Sequence, residues 1–270
     1  MYGFRWWQRV RDWQADQPGP VVLVPAGATV LAQIAYPLVG GTARDVLTVV
    51  TVLLFAAASV AHAATTRGPR AAVALLVIAG GGGLLAEAAG VATGVPFGRY
   101  SYAGTLGPAV LGVPLVIPLA WTMIAWPAYL VGGRLAAGRG RTVRIAAAAV
   151  ALASWDLFLD PQMVDAGHWR WADPSPALPG VPTVPLTNYA GWLLVAVVLM
   201  AALDRAAPIS PSTADAVPYT LYLWTYASSV LAHAAFFGLP ASAVSGAIGM
   251  GLVALPLARS LRRQPAQATR

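Results

Sequence analysis

Three carboxylic acids lie in or at the ends of the hydrophobic stretches of this chain: Glu87, its only glutamate, and Asp156 and Asp160 in WDLFLDPQM. An ionised carboxylate inside an apolar membrane span costs at least about 2.5–3.5 kcal/mol, so an acid found there is expected to have a partner or a task. Asp156 and Asp160 are four residues apart, which on a helix puts them on one face a single turn from each other. Two carboxyls facing one low-dielectric cavity do not both ionise at small cost, so at least one is expected to keep a proton near neutral pH. A retained proton makes a general acid. The plainer reading is a buried carboxyl that only hydrogen-bonds a neighbouring helix, or, for Asp160 before Pro161, a helix-end acid that meets water. Burial and pairing favour function, most strongly for Asp156.

Rings and an amide are expected at the same depth. Tyr100, Tyr102, Trp121, Trp155, Trp169, Trp171, Asn188, Tyr189 and Trp192 are the candidate substrate-binding residues. Any one of these aromatics alone reads as part of an interfacial belt. Clustered round buried acids, their faces stabilise a cation without supplying a nucleophile. His62, His168 and His233 show no ligand spacing, so no metal site is expected; His62 is expected at the interface and His233 to support the acids from behind. The chain has no cysteine and no lysine, which excludes thiol nucleophiles, thiolate metal sites and a retinal Schiff base.

The elements that must position these residues are set by composition. The chain is 58% hydrophobic and 10% charged, with mean hydropathy +0.65, too little polar surface for a water-soluble globule. The expected fold is all-α, a polytopic helical membrane bundle forming one domain over 1–270. Eight spans are expected near 21–40, 45–64, 71–91, 108–133, 143–160, 189–203, 218–238 and 241–259. Segment 1–20, with Trp6, Trp7 and Trp13, reads as an interfacial lead-in, and 260–270 as a cytoplasmic tail. Pro114, Pro118 and Pro127 are expected to kink or break the fourth span. Gly80 to Gly83 should give the third a flat packing surface.

All seventeen basic residues are arginines, and with eight spans they divide fourteen to three between alternating sides. That is the pattern of the positive-inside rule rather than of nucleic-acid binding. Both termini are therefore expected in the cytoplasm. Loops 92–107 and 161–188, with the acids beside them, are then expected at the extracytoplasmic face of the cell membrane.

Three blocks, GVPFGRYSYAGTLGPAVLGVPLVIPLAW at 94–121, WDLFLDPQMVDAGHWRW at 155–171 and VPLTNYAGW at 184–192, resemble the membrane carotenoid biosynthesis proteins that include the γ-carotene and bisanhydrobacterioruberin hydratases. The blocks cover about a fifth of the chain. The loop after Trp171 departs from the pattern, being proline-rich in ADPSPALPGVPT. The resemblance implies addition of water to a terminal isoprenoid double bond, giving a tertiary alcohol, with a lipophilic polyene drawn from the bilayer, other carotenoid enzymes as possible partners and no cofactor. The residues agree with that chemistry: a neutral carboxylic acid protonates the alkene, and a carboxylate takes a proton from the attacking water. Asp156 is assigned as acid, Asp160 as its proton-sharing partner and Glu87 as water activator, with the roles open to exchange. A terpene or carotenoid cyclase, starting from the same protonation, is the nearest alternative. An intramembrane prenyltransferase would use Asp156 and Asp160 as a D-x-x-x-D unit but lacks a second aspartate-rich motif. A transporter or proton channel would use the acids as a relay.

Overall fold

The computed structural model describes residues 19–209 and 212–263. Trp6, Trp7 and Trp13 and the end of the tail lie outside the described residues. The helices are α1 (Pro20–Ala35), α2 (Gly41–Arg67), α3 (Pro69–Thr93), α4 (Val116–Leu135), α5 (Arg141–Ala153), α6 (Asp156–Asp165), α7 (Leu186–Ala206), α8 (Ala216–Ala235) and α9 (Pro240–Arg262). Helices α5 and α6 together form one span, Arg141–Asp165. Among the described residues, seven segments are long and apolar enough to cross a membrane. The eighth long helix, α8, has 20 residues, with tyrosines, serines, threonines and a histidine diluting its apolar character. The protein is a helical membrane bundle.

Helix α4 is the hub: 89% of its membrane-length window is buried, against 28–44% in the other six spans. The other helices pack round it and turn large apolar side chains such as Leu31, Val77, Leu194 and Leu252 outward, a surface that lipid covers. Arginines gather at one end of the bundle. There Arg67 binds Asp215 at 2.8 and 2.9 Å, Arg141 and Arg144 bind Asp204 at 2.7 and 2.5 Å, and Arg134 donates to Ser260 O at 3.0 Å.

Two of the prolines inside helices show how the chain keeps its backbone paired. Proline has no N–H, so each one frees the carbonyl four residues earlier, which has no water to turn to in lipid. Pro127 frees Met123 O, and Ser59 Oγ of α2 donates to it at 2.7 Å. Pro161 frees Leu157 O, and Ser242 Oγ of α9 donates to it at 2.8 Å.

This is one reason the expected break in the fourth span is not found: α4 runs unbroken through Pro127. The span also starts later than 108. Residues 109–114 form a hairpin of β2 (Ala109–Val110) and β3 (Val113–Pro114), turned by Leu111 and Gly112 at φ 55° and 80°. Pro118 then falls in the first turn of α4, where a missing N–H costs nothing. The irregular span is the third, whose residues Leu76–Gly81 are π-helical. The glycine run packs as expected, since a Cβ on Gly80, Gly82 or Gly83 would lie 2.9, 2.5 or 2.5 Å from Thr122, Leu199 or Trp121.

The long loops are not plain coil. Strand β1 (Tyr100–Tyr102) pairs antiparallel with β4 (Trp169–Trp171), and β5 (Ala177–Leu178) with β6 (Val181–Pro185). His62, expected at the interface, is instead fully buried, its Nδ1 accepting from Trp126 Nε1 at 2.9 Å and its Nε2 donating to Ala214 O at 2.9 Å.

Removing either serine that serves a proline-freed carbonyl is expected to destabilise the bundle. Ser59→Ala and Ser242→Ala should each lose about 1 kcal/mol, read as a lower unfolding midpoint in detergent. Ser245→Ala, whose hydroxyl donates only to Ser242 O in its own helix, should leave the midpoint unchanged.

Candidate functional site

Antiparallel pairing of β1 with β4 builds one wall of the site. The register sets Tyr100 opposite Trp171, Ser101 opposite Arg170 and Tyr102 opposite Trp169. Because side chains alternate along a strand, four aromatic residues fall on one face and Ser101 and Arg170 on the other. Ser101 and Arg170 are exposed, while Trp169 and Trp171 are buried. The aromatic face closes over the acids at the end of the bundle opposite the arginine clusters.

Glu87, on the last turns of α3, is 5% exposed. Its Oε2 accepts from Tyr100 Oη at 2.5 Å and Tyr102 Oη at 2.8 Å, and its Oε1 from Trp121 Nε1 at 3.0 Å. Burial, reinforced by the neighbouring Glu87, pushes both phenols well above their ordinary range, so both remain donors. An ionised carboxylate accepts about four hydrogen bonds, and three donors leave room on Oε1 for one more. The approach of Tyr100 depends on Gly90, where a Cβ would lie 2.9 Å from the Tyr100 hydroxyl.

Asp156 and Asp160 are tied by one amide. Asn188, in the first turn of α7, donates through Nδ2 to Asp156 Oδ2 at 2.7 Å and also to Asp160 Oδ2. Asp160 Oδ1 accepts from Trp169 Nε1 at 3.0 Å. Asp156 Oδ1 is buried with no hydrogen-bond partner among the described residues. Both aspartates are buried, but Asp160, with Glu87, lines the cavity, whereas Asp156 is not among the residues lining it.

The rest of the wall is aromatic. Trp121 and Trp192 stack at 4.0 Å and 12°, and Trp155 meets Trp192 edge-on at 6.1 Å. Trp171 donates to Phe97 O at 2.9 Å, fixing the ribbon to the preceding loop.

Residues 47–253 match the family described as "Carotenoid biosynthesis protein". The chain belongs to that family. It is also similar to a bisanhydrobacterioruberin hydratase of Haloarcula japonica, 38% identical over 111 residues, which is 40% of this chain and 36% of that protein. The matched segment is thus about a third of that relative's length. No solved structure matches the chain.

In this carotenoid biosynthesis protein, the candidates Tyr100, Tyr102, Trp121, Trp155, Trp169, Trp171, Asn188 and Trp192 all line one cavity with Glu87 and Asp160. Tyr189 does not line it, and its hydroxyl is buried without a partner. Sequence reasoning missed Phe97 and Phe158, two rings with no polar signal, and Gln162, two residues beyond Asp160. Gln162 lines the cavity and meets His233 Nε2 at 3.2 Å, while His233 Nδ1 lies 2.9 Å from Ser242 Oγ. His233 thus meets the cavity wall at Gln162 and not at the acids. Among the described residues no cluster of histidine and acidic side chains is suited to a metal ion.

His168 ties the two loops together. Its Nδ1 lies 2.7 Å from Thr105 Oγ1, its backbone O accepts from Ala103 N at 2.8 Å, and its Nε2 stands 3.7 Å from Asp45 Oδ1. Burial holds its imidazole below the ordinary value of 6.5, with Asp45 pulling the other way. The folded state thus prefers neutral His168, and the unfolded chain takes up a proton first. Stability from this residue is complete above about pH 6.5 and is lost as pH falls towards the lower folded-state value. The unfolding midpoint is expected to fall more between pH 7.5 and 5 in the wild type than in His168→Gln. Equal falls would show that His168 does not set the pH response.

Proposed function

We propose that this protein is a carotenoid hydratase, adding water to a terminal isoprenoid double bond to give a tertiary alcohol. The observation that carries the reading is the placing of two differently partnered acids, Glu87 and Asp160, on one aromatic-lined cavity. The similarity to a hydratase over part of the chain supports it.

In this reading the aspartate pair holds one proton, and Asp160, which lines the cavity, delivers it. The alkene π pair takes that proton at the less substituted carbon, leaving a tertiary cation at the other. The stacked Trp121 and Trp192 and the edge-on Trp155 supply π faces to that charge. A water oxygen bonds to the cationic carbon, and Glu87 accepts the proton that water loses. Solvent then returns the proton from Glu87 to the aspartate pair, so each turnover consumes one alkene and one water. Asp156 is the proton-sharing partner, and the Asn188 amide, with one hydrogen for each carboxyl, holds the pair at its spacing. The acid role thus moves from Asp156 to Asp160, one of the exchanges left open by the sequence.

The substrate enters from the bilayer, and both termini lie in the cytoplasm with the site at the extracytoplasmic end. The fourteen-to-three arginine division supports that orientation.

Expression in cells that accumulate a carotene with acyclic ends should yield a product one water heavier. Asp160→Asn should lower its rate by about 10²–10⁴-fold, Asp156→Asn by a comparable factor, and Glu87→Gln by less. An isomer of unchanged mass bearing a ring would instead identify a cyclase, and an unaltered carotene profile with folded protein would sink the enzyme reading.

A further inference from the structure

The cavity does not end at the acids. It extends between α1, α2, α4 and α8, where hydroxyls and an amide, those of Gln33, Thr48, Thr51, Thr225, Ser228 and Ser229, join Tyr36, Val52 and Phe237 in the lining. On α2, Thr48 and Thr51 are three apart, and on α8, Thr225 is three and four residues from Ser228 and Ser229, so each set lies on one helical face. Two short files of hydroxyls therefore border one space.

Depth gives the files a direction. Thr51 stands ten residues from the start of α2 and Thr225 ten from the end of α8, each about 15 Å along its helix. Both helix ends are at the site end of the bundle. Thr48 and Ser229 lie nearer that surface, Thr51 and Thr225 deeper.

Three of these groups are unpartnered. Thr51 is 9% exposed and Thr225 4%, and the side-chain oxygen of each has no hydrogen-bond partner among the described residues. Gln33 Oε1 is likewise buried and unpartnered. Two of the shallower hydroxyls are served within their own helices, Thr48 donating to Arg44 O at 3.0 Å and Ser228 to Thr225 O at 3.4 Å. Threonine and glutamine oxygens left bare in a membrane span fit a ligand that both donates and accepts hydrogen bonds. Among the described residues no arginine or histidine lines the cavity, and its only carboxyls there are Glu87 and Asp160, so this arm suits a small neutral ligand rather than an ion.

We propose that this arm is a water-holding branch of the cavity, in which water held at Thr51 and Thr225 supplies the acids. The proposal rests on the hydratase reading for the use of that water, but not for its presence. A polyene fills the aromatic part of the cavity and brings no oxygen of its own, while each turnover consumes one water. A separate polar branch lets water reach the cation while the alkene occupies the other.

Because the chain contains no cysteine, single cysteines report water directly. In membranes, Thr51→Cys and Thr225→Cys should react with a small charged methanethiosulfonate, which needs a hydrated thiolate. Leu194→Cys, exposed on the outer surface of the bundle, should not. Failure of both threonine positions to react above that control overturns the water branch, whatever the protein catalyses. Reaction at both, with no water adduct from the wild type, leaves the branch standing and removes the hydratase reading. If both hold, the Thr51→Val, Thr225→Val double variant keeps side-chain volume and protonation but starves the cation. In D₂O it should make the alcohol about tenfold more slowly and return more deuterium in recovered carotene. An unchanged alcohol rate and deuterium content would overturn the branch as the supply route.

Discussion

Three carboxyl groups are enclosed in a bundle whose outer surface is made for lipid, and the need to partner them organises one end of the molecule. Glu87 takes donors from β1 and α4, Asp160 takes one from β4, and Asn188 of α7 reaches both aspartates. Elements that would otherwise be free connections are thereby bound to the helices they join. In a medium without water, each of these bonds replaces one that solvent cannot supply.

The same rule acts on the backbone. Membrane prolines would leave carbonyls bare, and at Pro127 and Pro161 a serine from another helix supplies the missing donor. Both repairs bear on the site. The first falls on α4, the helix that carries Trp121 against Glu87; the second joins α6, which holds the aspartates, to α9. Ser242 also touches His233, which in turn meets Gln162. At Pro161, helix repair and cavity wall are one connected set of hydrogen bonds.

The cavity has two characters. Around the acids the walls are rings, in stacked and edge-on pairs that present faces to a cation while offering nothing for it to alkylate readily. Between α1, α2 and α8, hydroxyls and an amide join the apolar side chains of the wall.

The sequence by itself determined the medium, the spans to within a few residues at most ends, the three acids and most of the aromatic wall. It did so because apolar runs long enough to cross lipid are local, and because an acid in such a run is conspicuous whatever surrounds it. The alternating arginines, too, are read along the chain. Tertiary structure alone decided which aspartate lines the cavity, that residues 109–114 turn back as a hairpin, that α4 survives its proline, and that hydroxyls of α2 and α8 border one space. Each of these depends on a partner distant in the chain: 64 residues separate Ser59 from Met123, and 28 separate Asp160 from Asn188. A threonine in an apolar helix donates readily to its own backbone, so nothing local distinguishes Thr51 or Thr225 from Thr48. Only the packing of four helices leaves those two oxygens bare on the wall of the same cavity as the acids.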